Sequence, residues 1–438
     1  MSTSYMPSAH TTGAAAQGGP PIPLPPTFPP GVDPATYRLD SVTHLLEQAA
    51  YFSMFSVHDP SEPNIPIPIA GIPYLLAGMN VNERLHRFEV IVEPPRAGDG
   101  LHAINIVGQG MARVHIRWRV IPEQWYTAPD REPPPTPLIP FLSQRFTMLD
   151  GQFEFDDREH SGLYGFGAGR TFPATEGGRS VLRLGAVVAI EEGLGRFKGL
   201  QGNLVVNGFI IPPNELGLNV MGRLIDPSGN LKAKSALTSL DPVPDPDTGA
   251  VFMTFLGETD PDHPTTLNQG PDGQMLGSSV HELLRLVSVS FDLGGLGDRG
   301  FRSRTTTGPI VGRLSTTLSF NPLNPQTPGT LLSPIPYQTE SGVFTFFDRY
   351  RCPIGTVNSN IVEGRAFATP LEGAPMPVFR MAGFGPILSG TEQFNGVEGM
   401  LSMNGIVSVF PRTLSNMYVM RVVDPDGKFQ ETCRQAWA

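Results

Sequence analysis

The chain is built from short apolar or alternating runs separated by turn residues. ARVHIRWRVI (112–121), QFEF (152–155), VLRLGAVVAI (181–190), NLVVNGFII (203–211), VSVSFDL (287–293) and NMYVMRVV (416–423) have the length and period of β-strands. DPSG (226–229) and DPDG (424–427) between runs supply turn chemistry: an Asp start, a Pro that presets φ and a Gly that tolerates positive φ. Helical signals are few. LDSVTHLLEQAAYF (39–52) places Val42, Leu45, Leu46 and Ala49 on one face behind an Asp40 or Ser41 cap, and Ser279–Leu284 reads as one or two capped turns.

An internal repeat organises these runs. Gly169-Arg170-Thr171-Phe172 returns as Gly364-Arg365-Ala366-Phe367, each followed by an apolar strand with one internal arginine, Arg183 or Arg380. GRFKGLQGNLVVNG (195–208) then matches EQFNGVEGMLSMNG (392–405), with Phe, Gly, Gly, Leu, Asn and Gly each 197 positions apart. DPSG and DPDG complete the series, and upstream SVTHLL (41–46), with His44, resembles SVHELL (279–284), with His281. The expected fold is all-β: two tandem antiparallel barrels, or barrel-like halves, related by a pseudo-two-fold repeat. Residues 1–36 form a disordered or extended Pro-rich tail, 37–240 the first barrel, 241–250 a linker and 251–438 the second barrel.

Composition narrows the classes. The 49 Gly and 46 Pro make up roughly a fifth of 438 residues, against about 12% usually, which argues against helical bundles. Net charge is −10, with four lysines and the arginines scattered, so no basic patch for nucleic acid is present. No apolar run is long enough for a membrane helix, and the N-terminus lacks a signal-peptide pattern, so a cytoplasmic protein is expected. Cys352 and Cys433 make no disulfide framework.

GLGRFKGLQGNLVVNG (193–208), behind the Gly-Arg unit and apolar strand, resembles the antiparallel barrels of the allene oxide cyclase and dirigent superfamily over about 40 residues per repeat. On architecture alone the chain is also similar to tandem lipocalin-like barrels such as those of carotenoid hydratases. The resemblance implies an apolar ligand inside a barrel and no cofactor: radical coupling under stereocontrol, or folding of a reactive intermediate into one cyclisation product. The expected function is a cofactor-independent cyclase, isomerase or stereocontrol protein acting on an apolar small molecule. A non-catalytic barrel binding an apolar ligand or a protein partner, and a hydratase or lyase, are the alternatives. Oligomeric state stays open.

Candidate residues follow from strand faces. Glu154 or Asp156 could be a cavity acid, against a solvated hairpin tip. Asp157, Glu159 and His160 lack the spacing of a metal site. Arg183 and Arg380, inside apolar strands, could hold a carboxylate or enolate in a lumen, or pair with acids outside it. Gln201, Asn203, Val205 and Asn207 share one face; the second repeat puts Glu398, Met400, Ser402 and Asn404 there. If that face lines a cavity, Glu398 becomes an acid or base with a raised pKa and Asn404 an orienting amide. Tyr350, Glu363 and Arg365 lie close in sequence to Arg380, so the second half is favoured as the reactive one. The catalytic candidates are thus Glu398, Arg380, Glu154 and Arg183; the substrate-binding candidates are Asn404, Ser402, Met400, Gln201, Asn203 and Tyr350. No metal is expected.

Overall fold

The computed structural model describes residues 49–69, 72–95, 100–120, 144–155, 161–211, 215–225, 250–269, 275–292, 302–320, 335–369, 378–408 and 413–423. The Pro-rich tail, His44, Asp156, Asp157, Glu159, His160, Cys433, the linker up to residue 249 and the DPSG and DPDG turns lie outside these residues.

Among the described residues nineteen strands form two sheets. The first holds β1 (Ala49–His58), β2 (Ile65–Ile69), β3 (Ile72–Glu93), β4 (His102–Val120), β5 (Gln144–Phe155), β6 (Gly162–Glu176), β7 (Arg179–Leu194), β8 (Gln201–Ile211) and β9 (Glu215–Ile225). β1 pairs with both β9 and β3, so eight strands form a closed antiparallel ring, and β2 pairs with β3 beside it. The second holds β10 (Ala250–Thr259), β11 (Thr266–Gln269), β12 (Met275–Asp292), β13 (Arg302–Phe320), β14 (Ile335–Phe347), β15 (Pro353–Ser359), β16 (Glu363–Thr369), β17 (Val378–Gly390), β18 (Glu398–Ser408) and β19 (Thr413–Val423). It closes in the same way through β10–β12, with β15 and β16 together filling the place of β6. The fold is two tandem antiparallel barrels built on one repeated plan. Ring closure pairs the first strand of each barrel with its last and removes the edge that an open sheet would leave there.

The repeat extends to single residues. Gly202 and Gly399 each stand second in their strand, β8 or β18. A 3-10 turn precedes each, Gly195–Phe197 and Glu392–Phe394, and Gly199 and Gly396 follow it at φ 83° and 81°, where an L side chain is disfavoured. Two expectations are corrected. Residues 49–52, read as the end of a helix, open β1, and Ser279–Leu284, read as capped turns, lie within β12. Pairing to the closing strand sets the register: Leu85 faces Ser56 and Leu284 faces Gly257. Ser279–Leu284 therefore matches Asn80–Leu85, not Ser41–Leu46. Glu83 corresponds to Glu282, and His281 to Asn82.

The barrels pack back to back. Asn207 Nδ2 donates to the Met400 carbonyl at 3.0 Å, and Asn404 Nδ2 donates to the Asn203 carbonyl at 2.6 Å. Residues 207 and 404, and 203 and 400, are repeat equivalents, so each contact is the other seen through a pseudo-dyad. Nearby, Glu176 from the first barrel accepts two bonds from Arg421 of the second, at 3.0 and 2.7 Å, and one from Arg183 at 2.8 Å. Burial works against the Glu176 charge. The Arg421 bonds and charge, then those of Arg183, outweigh burial and hold the carboxyl below its usual range. Phe55 and Phe88 meet Phe252 edge-on elsewhere on the interface, at 6.2 and 5.4 Å between ring centres.

Removing one member of this buried network strands the others' charge. Arg421→Met should therefore lower unfolding free energy by about 3 kcal/mol in urea, and the pair Arg421→Met with Glu176→Gln should recover part of it. A loss below about 1 kcal/mol for the single change would mean the network is hydrated and weak.

Candidate functional site

Inside the first barrel, Met54, Leu85, Val114, Phe153, Val188, Leu204 and Leu224 belong to one packed cluster. The second barrel is filled differently along its axis. At one end Phe255, Phe346 and Phe394 stack at 5.1 and 5.0 Å. At the other, a cavity of about 230 Å³ opens among Leu314, Leu318, Phe320, Ile335, Phe344, Phe379, Met381, Leu401, Met403 and Leu414. That is about one and a half times the ~150 Å³ of an apolar cavity that takes benzene, so it has room for roughly ten non-hydrogen atoms.

Deep in this cavity lies a carboxyl. Glu282 on β12 is buried, and its Oε1 accepts from the Tyr418 hydroxyl at 2.8 Å and from Asn416 Nδ2 at 2.7 Å. Its Oε2 makes no hydrogen bond, nor do Asn416 Oδ1 and Thr316 Oγ1, and all three residues line the cavity. Burial pushes the Glu282 carboxyl up to about 7, against a smaller downward pull from Tyr418 and Asn416. The Tyr418 hydroxyl is raised well above its ordinary value by burial and then by Glu282. The ring of Phe344 meets that of Tyr418 edge-on at 5.4 Å.

The equivalent place in the first barrel holds the same acid in a closed setting. Glu83 is buried and bonded by the Ser56 hydroxyl, and burial again raises it to about 7. Three of the changes between the two sites fall on the partners of the acid. Ser56 becomes Gly257, Leu218 becomes Asn416 and Val220 becomes Tyr418. At Gly257 a Cβ would collide with Glu282 Oε2 and the Tyr418 ring, so glycine provides the space in which the carboxyl turns to its new partners.

At the cavity mouth, Asp260 accepts from the Asp262 amide at 3.0 Å, and its other oxygen lies 3.1 Å from His263 Nδ1 and 3.4 Å from Arg313 Nε. Burial raises the Asp260 carboxyl, but the Asp262, His263 and Arg313 contacts outweigh it and leave it lowered. Asp59 makes the same turn in the first barrel, with Ser61. Among the described residues no group of three or more His, Cys, Asp or Glu side chains is placed to hold a metal ion.

None of the ten candidate residues named from sequence lines this cavity. Glu398 is an exposed partner of Arg183, its side chain 63% accessible and 2.7 Å away. Arg183 is buried between Glu398 and Glu176 at the barrel interface. Arg380 is buried with its guanidinium 6.0 Å from the Phe367 ring centre, and burial lowers it to about 10. Glu154 is exposed and takes a bond from Gln152. Asn203, Met400, Ser402 and Asn404 are buried on the face turned to the other barrel, where Asn203 and Asn404 meet directly. Gln201 is exposed, and so is Tyr350, which stacks with Arg349. Glu363 is buried, with Arg365 at 3.7 Å. The residues missed, Glu282, Asn416 and Tyr418, had a signal in the spacing of VNERL (81–85) against VHELL (280–284) and of the Asp-Pro-x-x-Pro turns at 59–63 and 260–264. Comparison with protein-family models, curated proteins and solved structures finds no match. No helix among the described residues is long and apolar enough to cross a membrane.

Both raised carboxyls set a pH dependence. The folded protein keeps each proton up to about 7, whereas an unfolded glutamate loses it near 4.5. Their contribution to stability should be full below pH 4.5 and fall as pH rises to about 7, by ~3 kcal/mol each. Glu83→Gln and Glu282→Gln should each raise unfolding free energy at pH 8 by ~2–3 kcal/mol and flatten the fall between pH 5 and 7.5. Identical urea midpoints of both variants and wild type across that range would show two ordinary carboxyls.

Proposed function

We propose that the second barrel is the functional half and that it takes up an apolar small molecule on which Glu282 acts as acid or base. One observation carries this reading: a buried carboxyl raised to about 7 among the residues that line an apolar cavity, with Oε1 held by two donors and Oε2 without a hydrogen bond. Near neutral pH such a group exists in both protonation states, which suits it to give a proton in one step and take one in the next. Tyr418 and Asn416 fix its direction. The apolar wall excludes water and sets the shape in which a flexible molecule reacts. An isomerisation or cyclisation needs only such a proton relay and a mould. The resemblance of the repeat to allene oxide cyclase and dirigent barrels agrees with this class, with the acid at Glu282 instead of Glu398.

A non-catalytic ligand-binding barrel is the second reading, favoured by the predominance of apolar side chains in the wall. The two separate in one experiment. Small apolar ketones, alkenes, alcohols and amines of about ten non-hydrogen atoms are incubated with wild type, Glu282→Gln and Glu83→Gln, and products are followed by mass spectrometry. Conversion by wild type and Glu83→Gln that falls at least about a hundredfold in Glu282→Gln is expected. Conversion indifferent to Glu282 would remove it as the acid or base. Saturable binding with no conversion of any member would support the binding barrel. Met403→Trp, which fills the lumen, should abolish both binding and conversion.

A further inference from the structure

The first barrel shows what fills the space that the second leaves open. Strand register fixes the equivalence: Trp118 on β4 pairs with Met79 on β3, and Leu318 on β13 pairs with Ser278 on β12. Two residues along the same strands, Ile116 pairs with Val81 in one barrel and Thr316 with Val280 in the other. Trp118 and Ile116 pack against the lumen cluster of the first barrel, and the Trp118 ring meets that of Phe146 at 5.8 Å and 57°. In the second barrel leucine replaces this tryptophan, threonine the isoleucine and serine the methionine; only the valine is kept. Leu318, Thr316 and Ser278 all line the cavity. Smaller side chains on a scaffold of the same plan leave volume, because a closed ring collapses onto it only in part. Tyr337, the counterpart of Phe146, meets Phe320 instead, at 6.4 Å, from two residues further along β13, so the place of the indole itself stays open.

The facing wall suits an aromatic ring. β13 and β18 stand on opposite sides of the barrel. Across from Leu318, Phe379 and Met403 stand where the first barrel has Leu182 and Val206, and Met381 lies beside them. Rings and thioether sulfurs favour a flat π system over a puckered saturated one of the same size. Several polar side chains of the cavity are turned back into the protein. Ser278 Oγ donates to the Thr266 carbonyl at 2.9 Å, Ser359 Oγ donates to the Pro386 carbonyl at 2.9 Å, and Thr339 Oγ1 accepts from the Ile361 amide at 2.6 Å. Among the described residues no lysine, arginine or histidine lines the cavity, so an anion finds no counter-charge there.

We propose that the second barrel takes a neutral, flat bicyclic aromatic molecule of roughly ten non-hydrogen atoms, seated against Leu318, Thr316 and Ser278 where the first barrel places its own Trp118 indole. This rests on the reading of the cavity as a small-molecule site and goes beyond it by naming the ligand class. The ring lies between Leu318 on one wall and Phe379 and Met403 on the other.

Naphthalene and indole are compared with decalin and cyclohexyl methyl ketone, saturated molecules of similar size, by NMR titration of the full chain labelled at its methionine methyls. Met381 and Met403 report from the wall, their signals assigned with Met381→Leu and Met403→Leu. Naphthalene and indole should saturate, move both signals through their ring currents, and bind about tenfold tighter than the saturated probes. Leu318→Trp, which restores the side chain of the first barrel, should abolish these shifts. The ranking in wild type tests the idea even if Leu318→Trp does not fold. Binding of decalin as tight as that of naphthalene, or aromatic binding unchanged in Leu318→Trp, would overturn the aromatic class while leaving the cavity a ligand site. Failure of all four probes to bind would overturn the cavity reading itself and the aromatic class with it.

Discussion

The architecture depends on strands that have no solvent face. On β8 and β18 one face turns into its own barrel and the other lies against the neighbouring barrel, so Leu204 and Leu401 point inward while Asn203 and Met400 point across. An amide in such a place must find a partner or carry an unmet bond. The pseudo-dyad supplies partners in pairs: each half offers an asparagine donor and a backbone carbonyl acceptor at the same two positions. A self-complementary contact of this kind needs only one interface solution, used twice. The departures from it are informative. Arg421 reaches Glu176, while its equivalent Arg223 donates to the Ser415 carbonyl and hydroxyl and lies 5.0 Å from the Tyr51 ring centre. Charge has thus broken the symmetry that the backbone contacts keep.

Holding the barrels together through their outer faces leaves their lumens free to differ. A core tolerates change in one repeat if the closed ring of hydrogen bonds already fixes the backbone. In the first barrel Val220 and Leu218 help pack the lumen around Glu83 and Ser56. In the second, Tyr418, Asn416 and Gly257 redirect the equivalent acid, and the interrupted β15–β16 strand brings Ile361 into the cavity wall, its amide bonded to Thr339 Oγ1 at 2.6 Å. The cavity arises from a few such differences within a shared scaffold.

Much of the fold was legible because the signals are local. Alternation gave the strands, and Phe197, Gly199, Gly202 and Asn207 against Phe394, Gly396, Gly399 and Asn404 gave the repeat, each glycine or aromatic tied to a turn or strand start that needs it. The site was not legible for a physical reason. Period-two alternation separates Gln201, Asn203 and Asn207 from Gly202, Leu204 and Val206, but it cannot say which set faces the lumen when both faces are buried. Polar residues on a strand suggested a cavity; here they mark the contact between barrels. The helix expected over 39–52 failed at its described end for a similar reason: Ala49–Phe52 pair with Arg223–Ile225 and Gly222 in the sheet, and tertiary pairing overrides a helical spacing.

The buried acids cost the fold stability near neutral pH. A domain that only had to be stable would replace Glu83 and Glu282 with apolar side chains, because each raised carboxyl weakens the fold near neutral pH. In the first barrel the Ser56 hydroxyl meets the acid, and the surrounding cluster is packed. In the second, Oε2 of the acid makes no hydrogen bond and lies over Gly257, which gives up a side chain to make the room. The same carboxyl is a cost to the barrel near neutral pH, and if the second barrel takes up a small molecule as proposed, its occupancy should feed back on the stability of the whole two-barrel unit.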